Sequence, residues 1–207
     1  MSIIKDMKSS KACGPNSIST NLLIEFSELL APPLSCIINM SLQEGVFPSL
    51  NKEADVCPIH KNNEMTKCEN YRPISLLSNI SKIFERVMYS RLDNFLTTSE
   101  ILYKFQFGFR KHYSTNHALL NIVEQIRKAL DTKMFTCGVF IDLEKAFDTV
   151  NHGILLSKLN HYGIRGVANK WFSSYLTNRH QRVSLNGVYS SRLPVSCGVP
   201  FLDHYYF

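Results

Sequence analysis

Short β-prone runs in this chain are separated by helical stretches of unequal number and length. No regular strand–helix–strand alternation can be written through its 207 residues. Apolar positions recur at helical spacing over 20–31, which stops at Pro32-Pro33, and again over 34–44, closed by Gly45 and Pro48. Residues 54–60 and 71–78 read as a strand pair. Pro58 and Pro73 then need edge or end positions, because proline has no N–H to give to a ladder. Amphipathic helices follow over 80–96 and 114–131, the second with Ala118, Leu119, Ile122, Val123, Ile126 and Leu130 on one stripe. Residues 136–141 form an apolar run expected to be a strand, and helices are expected over about 152–161 and 167–177. Asn186-Gly187, flanked by Val183, Leu185, Val188 and Tyr189, signals a hairpin over 180–191, and a further extended piece runs from Arg192 to Pro200. The expected class is α+β, with helices around a small antiparallel sheet.

Composition excludes several functions. With 44% hydrophobic and 19% charged residues, the chain has the balance of a globular domain and not of a disordered one. No apolar run approaches the roughly 20 residues that span a bilayer, and the first residues, MSIIKDMKSSK, have no apolar stretch of the secretory kind. Six cysteines occur without a C-x-x-C pair, a spacing that fits neither a zinc site nor a compact disulfide framework. Several lie in apolar runs, where cysteine acts as a small hydrophobe, so a reducing compartment is expected. The net charge of +6 is unevenly spread: residues 149–207 hold six basic side chains (Lys158, Arg165, Lys170, Arg179, Arg182 and Arg192) against one acid, Asp203. Such a segment suits a polyanion, and it equally suits a solvated basic face.

The run Val139-Phe140-Ile141 ends in Asp142. A carboxylate at the tip of a buried strand needs something to satisfy its charge. A divalent cation does so, since Mg²⁺ prefers carboxylate oxygens; capping the turn at 143–148 is the other reading.

Context brings in a family. Phe140, Asp142, Ala146, Phe147 and Asp148 resemble motif A of reverse transcriptases, in the F-x-D-x-x-x-A-F-D form of non-LTR (LINE-type) retrotransposons. Lys11 to Ile18, with Gly14-Pro15, resembles the family's K-x-x-G-P-D-G-I block, although Asn16 and Ser17 replace Asp-Gly. Asn70 to Leu77 resembles N-Y-R-P-I-S-L-L, and Gln106 to Thr115 resembles Q-x-G-F-R-x-x-x-S-T. Ser196, Gly198, Val199 and Pro200 resemble the opening of motif B, S-x-G-V-P-Q-G-S. Phe201 stands where that motif has Gln, and the last residues match nothing in it. The abrupt departure reads as a frameshift, a mis-spliced exon or a truncation.

The resemblance implies a partial right-hand polymerase as a single partial domain. Residues 1–135 would be the N-terminal extension and fingers, 136–200 an incomplete palm, and 201–207 a non-matching tail. It implies that Asp142 binds metal, with the Leu143 carbonyl beside a second ion, and that the cofactor is Mg²⁺ or Mn²⁺. Phe147 would lie under the sugar of the incoming nucleotide and exclude a 2′-OH, ordinary core packing being its other reading. Arg72 and Lys61 are candidates for the triphosphate, as guanidinium and ammonium donors suit phosphate. Arg110 either contacts template or phosphate or holds the loop before the 114–131 helix. The implied partners are an RNA template, an RNA–DNA hybrid and deoxynucleoside triphosphates.

Two-metal nucleotidyl transfer needs several carboxylates. The family supplies more from a later A-D-D hairpin, whereas Asp203 is the only acid here after Asp148. The expectation is a reverse transcriptase fragment without polymerase activity and with weak metal binding. A non-catalytic module binding RNA or a hybrid and a translated remnant without function are the alternatives.

Overall fold

The computed structural model describes residues 2–8, 14–15, 18–61 and 64–199. The chain divides into two compact units, one of residues 1–91 and 146–201, the other of 92–145 and 202–207.

The first unit holds a small sheet and most of the helices, which agrees with a mixed helix-and-sheet class. Strands β1 (Glu53–His60) and β2 (Tyr71–Leu76) pair antiparallel, as the sequence suggested. Pro58 and Pro73 face each other across the ladder. The Lys61 N–H donates to the Asn70 carbonyl at 2.8 Å, and hydrogen-bonded pairs alternate with non-bonded ones, so the two prolines meet at a non-bonded pair where neither N–H is needed within the hairpin. β3 (Arg179–Leu185) lies parallel to β1 but only along Glu53–Val56, which leaves Pro58 beyond its reach. β3 also pairs antiparallel with β4 (Val188–Tyr189) and β5 (Leu193–Val195). The sheet is therefore mixed, not purely antiparallel. Asn186 and Gly187, with φ of 49° and 81°, make the expected tight turn.

Helices α1 (Ser2–Lys5), α2 (Thr20–Glu25), α3 (Ser27–Glu44), α4 (Asn79–Thr98), α6 (His152–His161) and α7 (Gly166–Leu176) belong wholly or in their first turns to this unit, and α5 (Thr115–Asp131) to the other. One expectation needs correcting. Pro32 and Pro33 do not end a helix; they lie inside α3, and the interruption falls at Phe26. The carbonyls these prolines leave unbonded, four residues back, belong to Glu28 and Leu29. Both residues are exposed, so water can satisfy them. Gly45, at φ 67°, ends α3 as expected.

The core lies where α3, α4 and α7 meet. Phe47 and Trp171, each 1% exposed, pack edge to face with ring centroids 5.4 Å apart, and Tyr175 stacks on Trp171. Phe84, Leu23, Ile38 and Met88 belong to the same cluster, with Ile4, Met7 and Ile83. The Trp171 indole N–H donates to Ser41 Oγ at 3.0 Å, so the largest buried ring is hydrogen-bonded as well as packed.

In the second unit α5 has its expected stripe, but Leu119, Val123 and Leu130 are exposed and no α5 residue is buried. The expected strand over 136–141 does not form: Val139, Phe140 and Ile141 are 82–90% exposed. A β-prone run becomes a strand only with a ladder partner, and no described strand pairs with it. Cys36, Cys68, Cys137 and Cys197 are exposed rather than core residues. No helix among the described residues is long and apolar enough to cross a membrane.

Candidate functional site

In the first unit, two blocks far apart in sequence interlock. The Val199 N–H donates to the Phe147 carbonyl at 3.0 Å, and the Gly198 N–H to the Val150 carbonyl at 2.9 Å. The Gly198 carbonyl lies 2.7 Å from His152 Nε2. Gly198 has φ 81°, and a Cβ there would come within 2.9 Å of the Asp148 carbonyl oxygen. Glycine is needed twice over, for its backbone conformation and for this close approach. The end of the Asp-bearing block is thus fastened to Gly198 and Val199 through backbone. Pro200 lies outside the described residues.

A comparable contact ties the first block to the hairpin. A Cβ on buried Gly14 would meet the Leu77 carbonyl carbon at 2.5 Å, so Gly14 lies directly against the backbone that follows β2. Asn79 Nδ2 reaches from the start of α4 to the Ile18 carbonyl at 2.8 Å. The sequence marked Gly14 only as part of a motif; the tertiary contact explains why glycine is there.

Register sorts the hairpin residues by face. Ala54, Val56, Pro73 and Ser75 line a cleft of about 390 Å³, which is also bounded by Asp148, Arg179 and Gly198. Arg72 pairs with Ile59. Strand alternation puts Arg72 and Lys61 together on the opposite face, and both are exposed. The two phosphate candidates are neighbours, on the far side of the hairpin from the cleft.

Behind the cleft lies a buried polar cluster that sequence reasoning missed. The Glu85 carboxylate accepts from Tyr175 Oη at 2.9 Å and Ser81 Oγ at 3.1 Å, and is 5% exposed. Burial raises the Glu85 carboxyl above the ordinary glutamate range; the Tyr175 hydrogen bond, the Arg179 charge and smaller effects pull the other way. Burial also pushes the Tyr175 hydroxyl well up. Arg179, 3% exposed, donates through Nη1 to the Tyr175 carbonyl at 3.0 Å and lies 4.8 Å from the Tyr175 ring centroid. The available signal was slight: Glu85 falls on the apolar side of α4, four residues after Ser81.

The basic C-terminal segment turns out to be largely structural. Arg182 makes a two-pronged contact with Asp55 at 2.6 and 3.4 Å, and this hydrogen bond raises its pKa. Arg192 pairs with Glu53 at 2.8 Å, and Lys170 donates to the Glu44 carbonyl at 3.0 Å. Acids and carbonyls from the first half of the chain absorb cations that composition alone assigned to a free basic face or to a polyanion.

Asp142, Leu143 and Arg110 fall in the second unit. Asp142 and Leu143 are exposed, at the end of the unpaired run. Among the described residues no group of three or more His, Cys, Asp or Glu side chains is close enough together to hold a metal ion. The residues present do not fit a two-metal centre. Arg110 donates through Nη1 to the Tyr103 carbonyl at 3.5 Å and lies 4.4 Å from the Tyr113 ring centroid, both within its own loop.

Two blocks about fifty residues apart are thus interlocked through backbone beside a small mixed sheet. Residues 59–201 match the family described as reverse transcriptase (RNA-dependent DNA polymerase), and the chain belongs to it. More narrowly, it is a reverse transcriptase domain of the non-LTR retrotransposon type. It is 37% identical to the probable RNA-directed DNA polymerase from transposon BS of Drosophila melanogaster, over 81% of this chain and 18% of that protein. It is 35% identical to the RNA-directed DNA polymerase from mobile element jockey of the same fly, with the same two shares. For the probable RNA-directed DNA polymerase from transposon X-element of that fly, identity is 30% over 96% of this chain and 22% of the relative. The chain spans about a fifth of the length of these relatives.

Proposed function

We propose that the chain is the fingers and part of the palm of a reverse transcriptase, carrying template and nucleotide contacts without transferring nucleotides by itself. The observation that carries this reading is the backbone lock between Phe147–Val150 and Gly198–Val199, which joins two family blocks about fifty residues apart. In this reading 1–135 is the N-terminal extension and fingers, 136–200 an incomplete palm, and 201–207 a tail. Arg72 and Lys61 contact the triphosphate, Phe147 lies against the sugar, and Arg110 contacts template or phosphate. Ser196, Gly198 and Pro200 begin the segment that borders the nascent base pair.

The family uses divalent metals. Asp142 and the Leu143 carbonyl would contribute to such a site, but one carboxylate cannot position two cations, so metal binding is weak and no transfer is assigned to this chain. A fluorescent deoxynucleoside triphosphate titrated against the protein tests the nucleotide contacts. Arg72→Ala and Lys61→Ala are each expected to weaken binding about ten- to a hundredfold, in line with one lost charge-assisted contact of ~1.5–3 kcal/mol. Unchanged affinity in both variants would remove the triphosphate assignment.

A further inference from the structure

The loop before α5 concentrates aromatic and basic side chains. Within residues 103–113 lie five aromatic residues, Tyr103, Phe105, Phe107, Phe109 and Tyr113, interleaved with Lys104, Arg110 and Lys111. No acid occurs between Glu100 and Glu124. Four of the rings are exposed: Tyr103 by 66%, Phe109 by 61%, Phe105 by 42% and Tyr113 by 39%.

The loop is nonetheless organised. The Gln106 N–H donates to the Tyr103 carbonyl at 2.9 Å, and the Tyr113 N–H to the Arg110 carbonyl at 3.3 Å. Arg110 spans the loop from the Tyr103 carbonyl to the Tyr113 ring. Lys104 Nζ lies 4.9 Å from the Phe105 ring centroid. Phe109 has φ 57° and His112 φ 64°. A left-handed conformation is costly for a bulky residue, and exposing its ring forgoes burial as well. Two unfavourable features at one residue, in an ordered loop, are the pattern of a binding surface.

We propose that residues 103–113 form a stacking platform for single-stranded nucleic acid. The inference deepens the template contact assigned to Arg110 and rests on that part of the proposed function. Flat rings need unstacked bases, and a duplex hides base faces inside its own stack, so a single strand is the form that fits. Lys104 and Arg110 supply cations beside the rings for the phosphates; Lys111 shares its charge with Asp93 at 3.4 Å. An apolar protein partner fits less well, because the rings alternate with cations and the segment itself carries no acid.

The test is fluorescence anisotropy with a labelled single-stranded oligoribonucleotide and with a hairpin duplex of the same length. Tyr103→Ala and Phe109→Gly are each expected to weaken single-strand binding about tenfold, within the range for loss of one base–aromatic stack. Tyr103→Phe keeps the ring and should keep the affinity. Phe109→Gly also relieves the left-handed strain, so its melting temperature should not fall, and weaker binding then reports the ring and not the fold. Retained affinity in both ring-removing variants, or equal affinity for duplex and single strand, overturns the platform and leaves the triphosphate contacts standing. No binding to either oligonucleotide at low salt overturns the platform together with the Arg110 template contact.

Discussion

Glu85 carries a pH dependence whose sign is fixed by its surroundings. Its folded-state pKa is raised by burial, so the native protein holds the proton more tightly than the unfolded chain does. The stability it contributes is fully present below the unfolded glutamate pKa and is lost as pH rises through the folded value. Glu85→Gln keeps an acceptor for Tyr175 and Ser81 while removing the charge. Thermal melts followed from acidic to neutral pH should show a smaller loss of stability with rising pH in this variant than in the parent. Trp171→Ala removes a buried ring and the hydrogen bond to Ser41, and urea titration should register a loss of about 3–5 kcal/mol. Neither residue announced its role in the sequence. A glutamate on a helix is ordinarily solvated, and only the packing of α4 against α7 makes Glu85 a buried acid. Arg179 likewise counted toward a basic segment until the fold buried it beside Tyr175.

Among elements, those with local signals were legible and those depending on a distant partner were not. The hairpin turn at Asn186-Gly187 and the stripe of α5 follow from a few adjacent residues. The run 136–141 has the composition of a strand and remains unpaired, because composition cannot supply a neighbour. Pro32-Pro33 misled for a related reason: exposure of the freed carbonyls lets α3 continue through them. Two predictions belong here. Gly198→Ala sets a Cβ against the Asp148 backbone at a strained φ, which should cost about 1–3 kcal/mol. Hydrogen exchange should quicken at the amides of Gly198 and Val199, which now donate to Val150 and Phe147. On α5, Leu119→Gln combined with Val123→Gln replaces exposed apolar surface of the kind that promotes association. Soluble yield should rise while the melting temperature stays level, and a lower melting temperature would mean that this face is packed after all.

For the molecule as a whole, the family was readable from blocks of residues in order, since each block retains its spacing even where single positions differ, as at Asn16 and Ser17. The cross-contacts between blocks were not readable: Gly14 against Leu77 and Gly198 against Asp148 are products of the fold. We propose that this chain carries reverse transcriptase parts without transferring nucleotides by itself. Primer extension on an RNA template, with deoxynucleotides and Mg²⁺ or Mn²⁺, tests it most directly. The prediction is incorporation no greater than that of Asp142→Ala. Extension by the parent chain that this substitution abolishes would contradict it.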